Sequence, residues 1–167
     1  MGDILAVLGY KCFNKDLTNR YGYKFKVGSS YKIDGIIKFG TDGNGFHMCE
    51  RLEDTLRYFD AMNLDVSICE VVGNGKIVSF CDEYNGYYDM YSVEEISIIR
   101  KIGRDEIISM MLNVNELRII RFLQLYKLNE EEIKLFQDKF RYNMEILDVI
   151  DYYQYGINDV YSKKYIK

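Results

Sequence analysis

The chain has 167 residues, enough for one domain or one domain with a helical extension, and 48% hydrophobic against 29% charged residues is the balance of a globular protein with a real core. Its net charge of −4 argues against a nucleic-acid binder, which needs a basic patch, and is too small for acidic mimicry of nucleic acid. No apolar run reaches the length of a membrane span, no secretory leader is visible, and Cys12, Cys49, Cys69 and Cys81 lack C-x-x-C spacing, so a cytoplasmic protein with four reduced thiols is expected.

Along the chain, Ile4 to Leu8 is a short apolar run that Gly9 to Phe13 continues. Tyr21 to Val27 alternates tyrosine or apolar residues with lysine, the period-two sign of a half-buried strand, and Tyr31 to Phe39 is a second such run. Gly40 to Gly45 has loop chemistry, and lacks the spacing and Gly-Lys-Ser/Thr ending of a phosphate loop. Glu50 to Met62 reads as a helix with Leu52, Leu56 and Phe59 on one face. Val66 to Val72 and Lys76 to Cys81 flank Gly73-Asn74-Gly75, which predicts a hairpin, and Asn85-Gly86 predicts a second tight turn. Ile96 to Ile99 closes the sheet.

After Gly103 the texture becomes helical over Arg104 to Leu112, Asn115 to Leu128, Glu130 to Phe140 and Asn143 to Tyr155. Asn129 with Glu132 forms a capping box. Three core stripes are expected: Leu117, Ile120, Leu123 and Leu128; Ile133, Phe136 and Phe140; and Ile146, Leu147 and Ile150. The fold class is therefore α+β: a small, twisted, mostly antiparallel sheet or split barrel over residues 1–102, with a helical extension over 103–167 packed on it.

The chain carries few chemical signals. His47 is the sole histidine and has no Cys, Asp or Glu at ligand spacing, so no metal site is expected. Glu94-Glu95 and Glu130-Glu131-Glu132 are carboxylate clusters, the latter explained by a helix N-terminus. The abundance of Ile, Lys, Asn and Tyr, with no proline, suggests an AT-rich bacterial or phage genome. Sixteen tyrosines suit a protein-binding surface, because a tyrosine can bury its ring and keep its hydroxyl wet.

Two spaced segments carry a resemblance. Tyr10-Lys11-Cys12-Phe13-Asn14-Lys15-Asp16-Leu17, then Gly45-Phe46-His47-Met48-Cys49-Glu50 with Asp54 and Tyr58, resemble an uncharacterised phage and bacterial domain over roughly the first 100 residues. The same segments are similar, more distantly, to the ADP-ribosyltransferase fold of the poly-ADP-ribose polymerase type. That second resemblance implies an NAD site. Lys11 falls near the family's first histidine, His47 takes the place of its first tyrosine, Thr55 matches a small hydroxyl residue, and Tyr58 matches the second stacking tyrosine. Tyr84-Asn85 resembles the approach to the catalytic acid, but Gly86 stands where the glutamate belongs, leaving Glu83 or Asp89 as substitutes.

Without that acid the charge stabilisation of glycosidic cleavage is missing, and no catalytic residue is assigned. The expected function is binding of a macromolecular partner, a protein, on a catalytically degenerate scaffold, in a setting of phage–host conflict. The alternative is an NAD-dependent ADP-ribosyltransferase with Lys11, His47, Thr55 and Tyr58 as the cofactor site. In the binding reading no cofactor is required, His47 bonds a backbone carbonyl, Tyr58 packs on the sheet and Lys11 is solvated.

Overall fold

The computed structural model of the protein describes residues 6–39, 42–82 and 88–156. The chain divides into two compact units, Met1–Asp60 with Leu64–Ile102, and Ala61–Asn63 with Gly103–Lys167. The fold is α+β. The first unit holds strands β1 (Val7–Asn14), β2 (Ser30–Lys32), β3 (Phe46–Cys49), β4 (Val66–Asp82) and β5 (Tyr88–Lys101), with a 3₁₀ helix at Leu52–Tyr58. The second holds helices α1 (Arg104–Met111), α2 (Glu116–Leu125), α3 (Glu130–Lys139) and α4 (Met144–Val149), the last continued by a π-helical turn at Ile150–Gln154. None of the described helices is long and apolar enough to cross a membrane.

The strands form one antiparallel sheet in the order β2-β5-β3-β1-β4, and β4 also pairs with β5. Four strands therefore make a closed circuit, joined between β1 and β3 by the single pair Tyr10–Cys49. Gly9 permits that close approach, since a Cβ there would lie 2.4 Å from the Cys49 carbonyl oxygen. Inside the circuit Phe13, Phe25, Met48, Cys69, Val71, Val93, Ile96 and Ile98 form a continuous apolar core. Gathering these side chains from one face of each strand is what period-two patterning does.

Several expected elements differ. Gly73-Asn74-Gly75 is no hairpin: β4 runs unbroken through it. Against Glu95 and Val93 the register shifts between Asn74 and Ile77, so Gly75 and Lys76 together oppose Glu94. Gly75 has φ +76°, the left-handed residue of a glycine bulge. The Lys76 N–H donates to the Glu94 carboxylate at 2.9 Å. Tyr21 to Val27 contributes only the bridge Lys24–Thr18. Its backbone donors are spent elsewhere, because the Asn19 side chain accepts from Tyr21 N and Tyr23 N and the Tyr31 hydroxyl accepts from Lys26 N. The expected period-two burial is lost with the ladder: Phe25 alone is buried, while Tyr21 and Tyr23, which a strand would place on the same face, are exposed. Of the run from Tyr31 to Phe39, only the first two residues join β2, and Lys38 makes a bridge to Asn44. The expected turn at Asn85-Gly86 lies outside the described residues.

The segment after β3 is a 3₁₀ helix and shorter than the α-helix expected over Glu50 to Met62. Leu52 through Leu56 are all buried, charged Glu53 and Asp54 included, so no solvent face exists to favour a wider amphipathic turn.

In the helical unit Asn115, Asn129 and Asn143 cap α2, α3 and α4, and Asn129 with Glu132 completes the expected capping box. Buried Gln154 closes the end of α2, donating to the carbonyls of Leu123 and Tyr126 at 2.6 and 2.9 Å and accepting from Leu128 N at 3.0 Å. Arg104 forks onto Glu132 at 2.5 and 2.8 Å. The first expected stripe is turned by one face. Leu117 is exposed, and the buried row is Ile119, Phe122, Leu123 and Tyr126. α2 stops at Leu125, so Leu128 never shared a helix with the others. The other two stripes hold, with Ile133, Phe136, Ile146 and Ile150 buried and Phe140 and Leu147 at their margins.

Candidate functional site

β1 alternates, and its inward residues include Gly9, Lys11 and Phe13, with Lys11 opposite Cys69 of β4. A lysine thus occupies a position that the pattern reserves for an apolar side chain. Its stem follows the core wall, and its ammonium lies 5.8 Å from the centre of the Phe13 ring and donates to the His47 carbonyl oxygen at 2.6 Å. The ammonium is therefore not solvated as expected. Burial, with repulsion from Arg20 and against the pull of Cys49 and Cys12, lowers its pKa from 10.5 to about 8.

His47 lies on β3, opposite Ser92 of β5. Gly45 directly precedes β3; its φ is +126° and a Cβ there would meet the Ser92 hydroxyl at 2.2 Å. The imidazole stacks on Phe39 at 5.3 Å and 25°. The expected bond from its ring to a backbone carbonyl is not made among the described residues; the backbone of His47 is instead the acceptor for Lys11. Burial first, then Lys11 and Arg20, lower its pKa to about 4, so the ring is neutral at pH 7.

Thr55 and Tyr58 stand three apart on the 3₁₀ helix, where three residues make one turn, so they share a face. The Thr55 hydroxyl donates to the Leu52 carbonyl at 2.7 Å. Tyr58 donates to the Met90 sulfur at 3.1 Å, which ties it to β5.

These four residues come together around one cleft of about 230 Å³. Its lining adds Asn19, Arg20, Tyr21, Cys12, Cys49 and Phe59, among others, and includes no Asp or Glu among the described residues. Arg20 and Tyr21, both exposed, form a rim, with the guanidinium 5.0 Å over the Tyr21 ring. The sequence reading missed them. A signal existed: Asn19-Arg20-Tyr21-Gly22 has Asn first and Gly last, and the Gly22 N–H does return to the Asn19 carbonyl at 3.0 Å as in a β-turn.

Cys12 and Cys49 line the cleft as thiols, each raised to about 12 by burial, and Cys69 behind Lys11 is raised to about 11. All three are free and buried. The thiol of Cys81, and Glu83 and Gly86, lie outside the described residues, and of Asp89 the backbone alone is described, paired with Cys81. No group of three or more His, Cys, Asp or Glu able to hold a metal ion occurs among the described residues.

No curated protein and no solved structure matches the chain. A family described as a domain of unknown function, DUF7666, matches residues 7–110, well over half of the chain and a span that holds all five strands, the cleft and α1 except its last residue. The chain belongs to that family.

Proposed function

We propose that the protein holds a macromolecular partner, another protein, at the Lys11 cleft and breaks no bond there. The observation that carries this reading is the state of the cleft's reactive groups. The two thiols sit near pKa 12 and stay protonated, and thiolate rather than thiol is the nucleophile. The imidazole, at about 4, is a weak base. The Thr55 hydroxyl is buried and spent on its own helix. What the cleft offers is cations, rings and a rim of exposed tyrosine, the chemistry of contact surfaces. The AT-rich composition and the phage-type motifs favour a setting in which phage and host proteins meet.

A second reading, an NAD-dependent ADP-ribosyltransferase, is supported by the gathering of Lys11, His47, Thr55 and Tyr58 at one cleft. It needs a carboxylate from Glu83 or Asp89. It also needs room: about 230 Å³ is below the roughly 300–1,000 Å³ of sites for drug-sized ligands, so most of a dinucleotide would lie outside.

Two measurements separate the readings. A photo-reactive residue at Tyr21 gives a discrete protein adduct in extract of the source cells, competed by unmodified protein, and the same residue at exposed Tyr142 does not. Calorimetry with millimolar NAD gives no saturable heat, and labelled NAD transfers nothing to protein or nucleic acid. Absence of the Tyr21 adduct removes the partner reading. Saturable NAD binding lost in a folded Tyr58→Ala variant replaces it with the transferase.

A further inference from the structure

The geometry points to a receptor for a single oxyanion, a carboxylate or a phosphate monoester, taken between the Lys11 ammonium on the cleft floor and the Arg20 guanidinium on its rim. This inference rests on the reading of the cleft as a binding site and names what it grips. Both cations line the same cavity, and both act on the imidazole of His47, so their fields converge on one region. Withdrawing an ammonium from water is costly unless it is paired. Lys11 has three donors, of which the structure spends one, on the His47 carbonyl. Among the described residues no carboxylate forms an ion pair with Lys11 or Arg20. Four more exposed cations do have such partners: Lys15 with Asp65, Lys32 with Glu94 and Glu95, Arg100 with Glu70, Arg104 with Glu132.

Two cations lining one cleft without described acids favour a ligand that brings the negative charge. The neutral imidazole keeps one N–H to offer. The size of the cleft limits what enters to one end group, such as an acidic side chain, a chain-terminal carboxylate or a phosphate. The net charge of −4 repels extended polyanions while leaving this short-range site intact.

The titratable and charged groups around Lys11 are Tyr10 and Cys12 on its own strand, Cys69 on β4, His47 and Cys49 on β3, Arg20 and Tyr21 on the loop and Tyr58 on the 3₁₀ helix. The thiols stay protonated to about 11 or above and His47 loses its proton at about 4, so around pH 8 Lys11 is the group whose charge changes.

The test is calorimetry of the full chain with sodium acetate and with inorganic phosphate at tens of millimolar. Saturable binding of acetate identifies the carboxylate source, and binding of phosphate alone the phosphate source. Either affinity falls at least tenfold in Lys11→Met, falls in Arg20→Gln, where an exposed change leaves folding intact, and is unchanged in Lys15→Met. Acetate affinity drops about tenfold per pH unit above pH 8, and Lys11→Arg, whose charge persists, abolishes that drop. No saturable binding of either anion, or binding indifferent to both Lys11→Met and Arg20→Gln, overturns the inference. If the anions fail while the Tyr21 adduct forms, the partner reading stands without this grip. If they bind and no adduct forms, the grip stands and the partner reading falls.

Discussion

A lysine amine withdrawn from water is held at a cost, and Lys11 carries that cost in the middle of β1. Its pKa is about 8 in the folded chain against 10.5 when solvated. A lowered base releases its proton first from the folded state, so the unfolded chain binds more protons between those values and stability rises with pH across that window. Below pH 8 the penalty is fully present. Replacing Lys11 by methionine, similar in shape and uncharged, should therefore stabilise the protein at pH 7 by on the order of 2 kcal/mol, after the lost bond to the His47 carbonyl is set against the relieved charge. Urea unfolding of both proteins from pH 7 to 10.5 checks it: the gain should shrink as pH rises, and a variant less stable at pH 7 would show that the amine stabilises the fold. At this scale the site was partly legible. Lys11, His47, Thr55 and Tyr58 were named from short motifs, because each has a fixed place on a regular element. Arg20 and Tyr21 were not, because they reach the cleft through a turn held by the Asn19 side chain.

Gly75 shows how one residue decides an element. The same Asn-Gly signal serves a hairpin or a glycine bulge, since both need positive φ, and only the length of the facing strand tells them apart. β5 supplies continuous partners from Glu95 to Val93, so the chain keeps going. Gly75→Ala should cost about 1–2 kcal/mol by denaturant unfolding, because φ is +76° and the new Cβ would stand 2.6 Å from a Glu94 carboxylate oxygen. Asparagine, which tolerates that backbone better, should cost less; equal stability of the alanine variant would mean that the bulge relaxes. The helical unit was easier to read, since capping by Asn129 and Glu132 is local in sequence. Strand partners are not local, and so Tyr21 to Val27 looked like a strand while its donors were committed to side chains.

At the scale of the whole molecule, the helical unit is discontinuous. Ala61–Asn63 belongs with it although β4 and β5 follow in the chain, and the Lys127 N–H donates to the Ala61 carbonyl at 3.1 Å. A fragment of residues 1–102 should therefore unfold with a lower midpoint than the full chain, or aggregate, because Ala61 is buried and loses that partner. Cooperative unfolding of the fragment at the midpoint of the β unit within the full chain would show that the three residues matter little. The change of texture after Gly103 revealed the main boundary; the short return at Ala61 has no composition of its own to betray it. The sheet's connectivity also bears on biosynthesis. Residues 14 and 66 pair, as do 7 and 73, so β1 leaves the ribosome with both edges bare and waits for β4. At about 5–20 residues per second that wait lasts on the order of seconds, long enough for nascent-chain chaperones to matter. With no proline to isomerise, the order in which strands emerge sets the pace at which this sheet is finished.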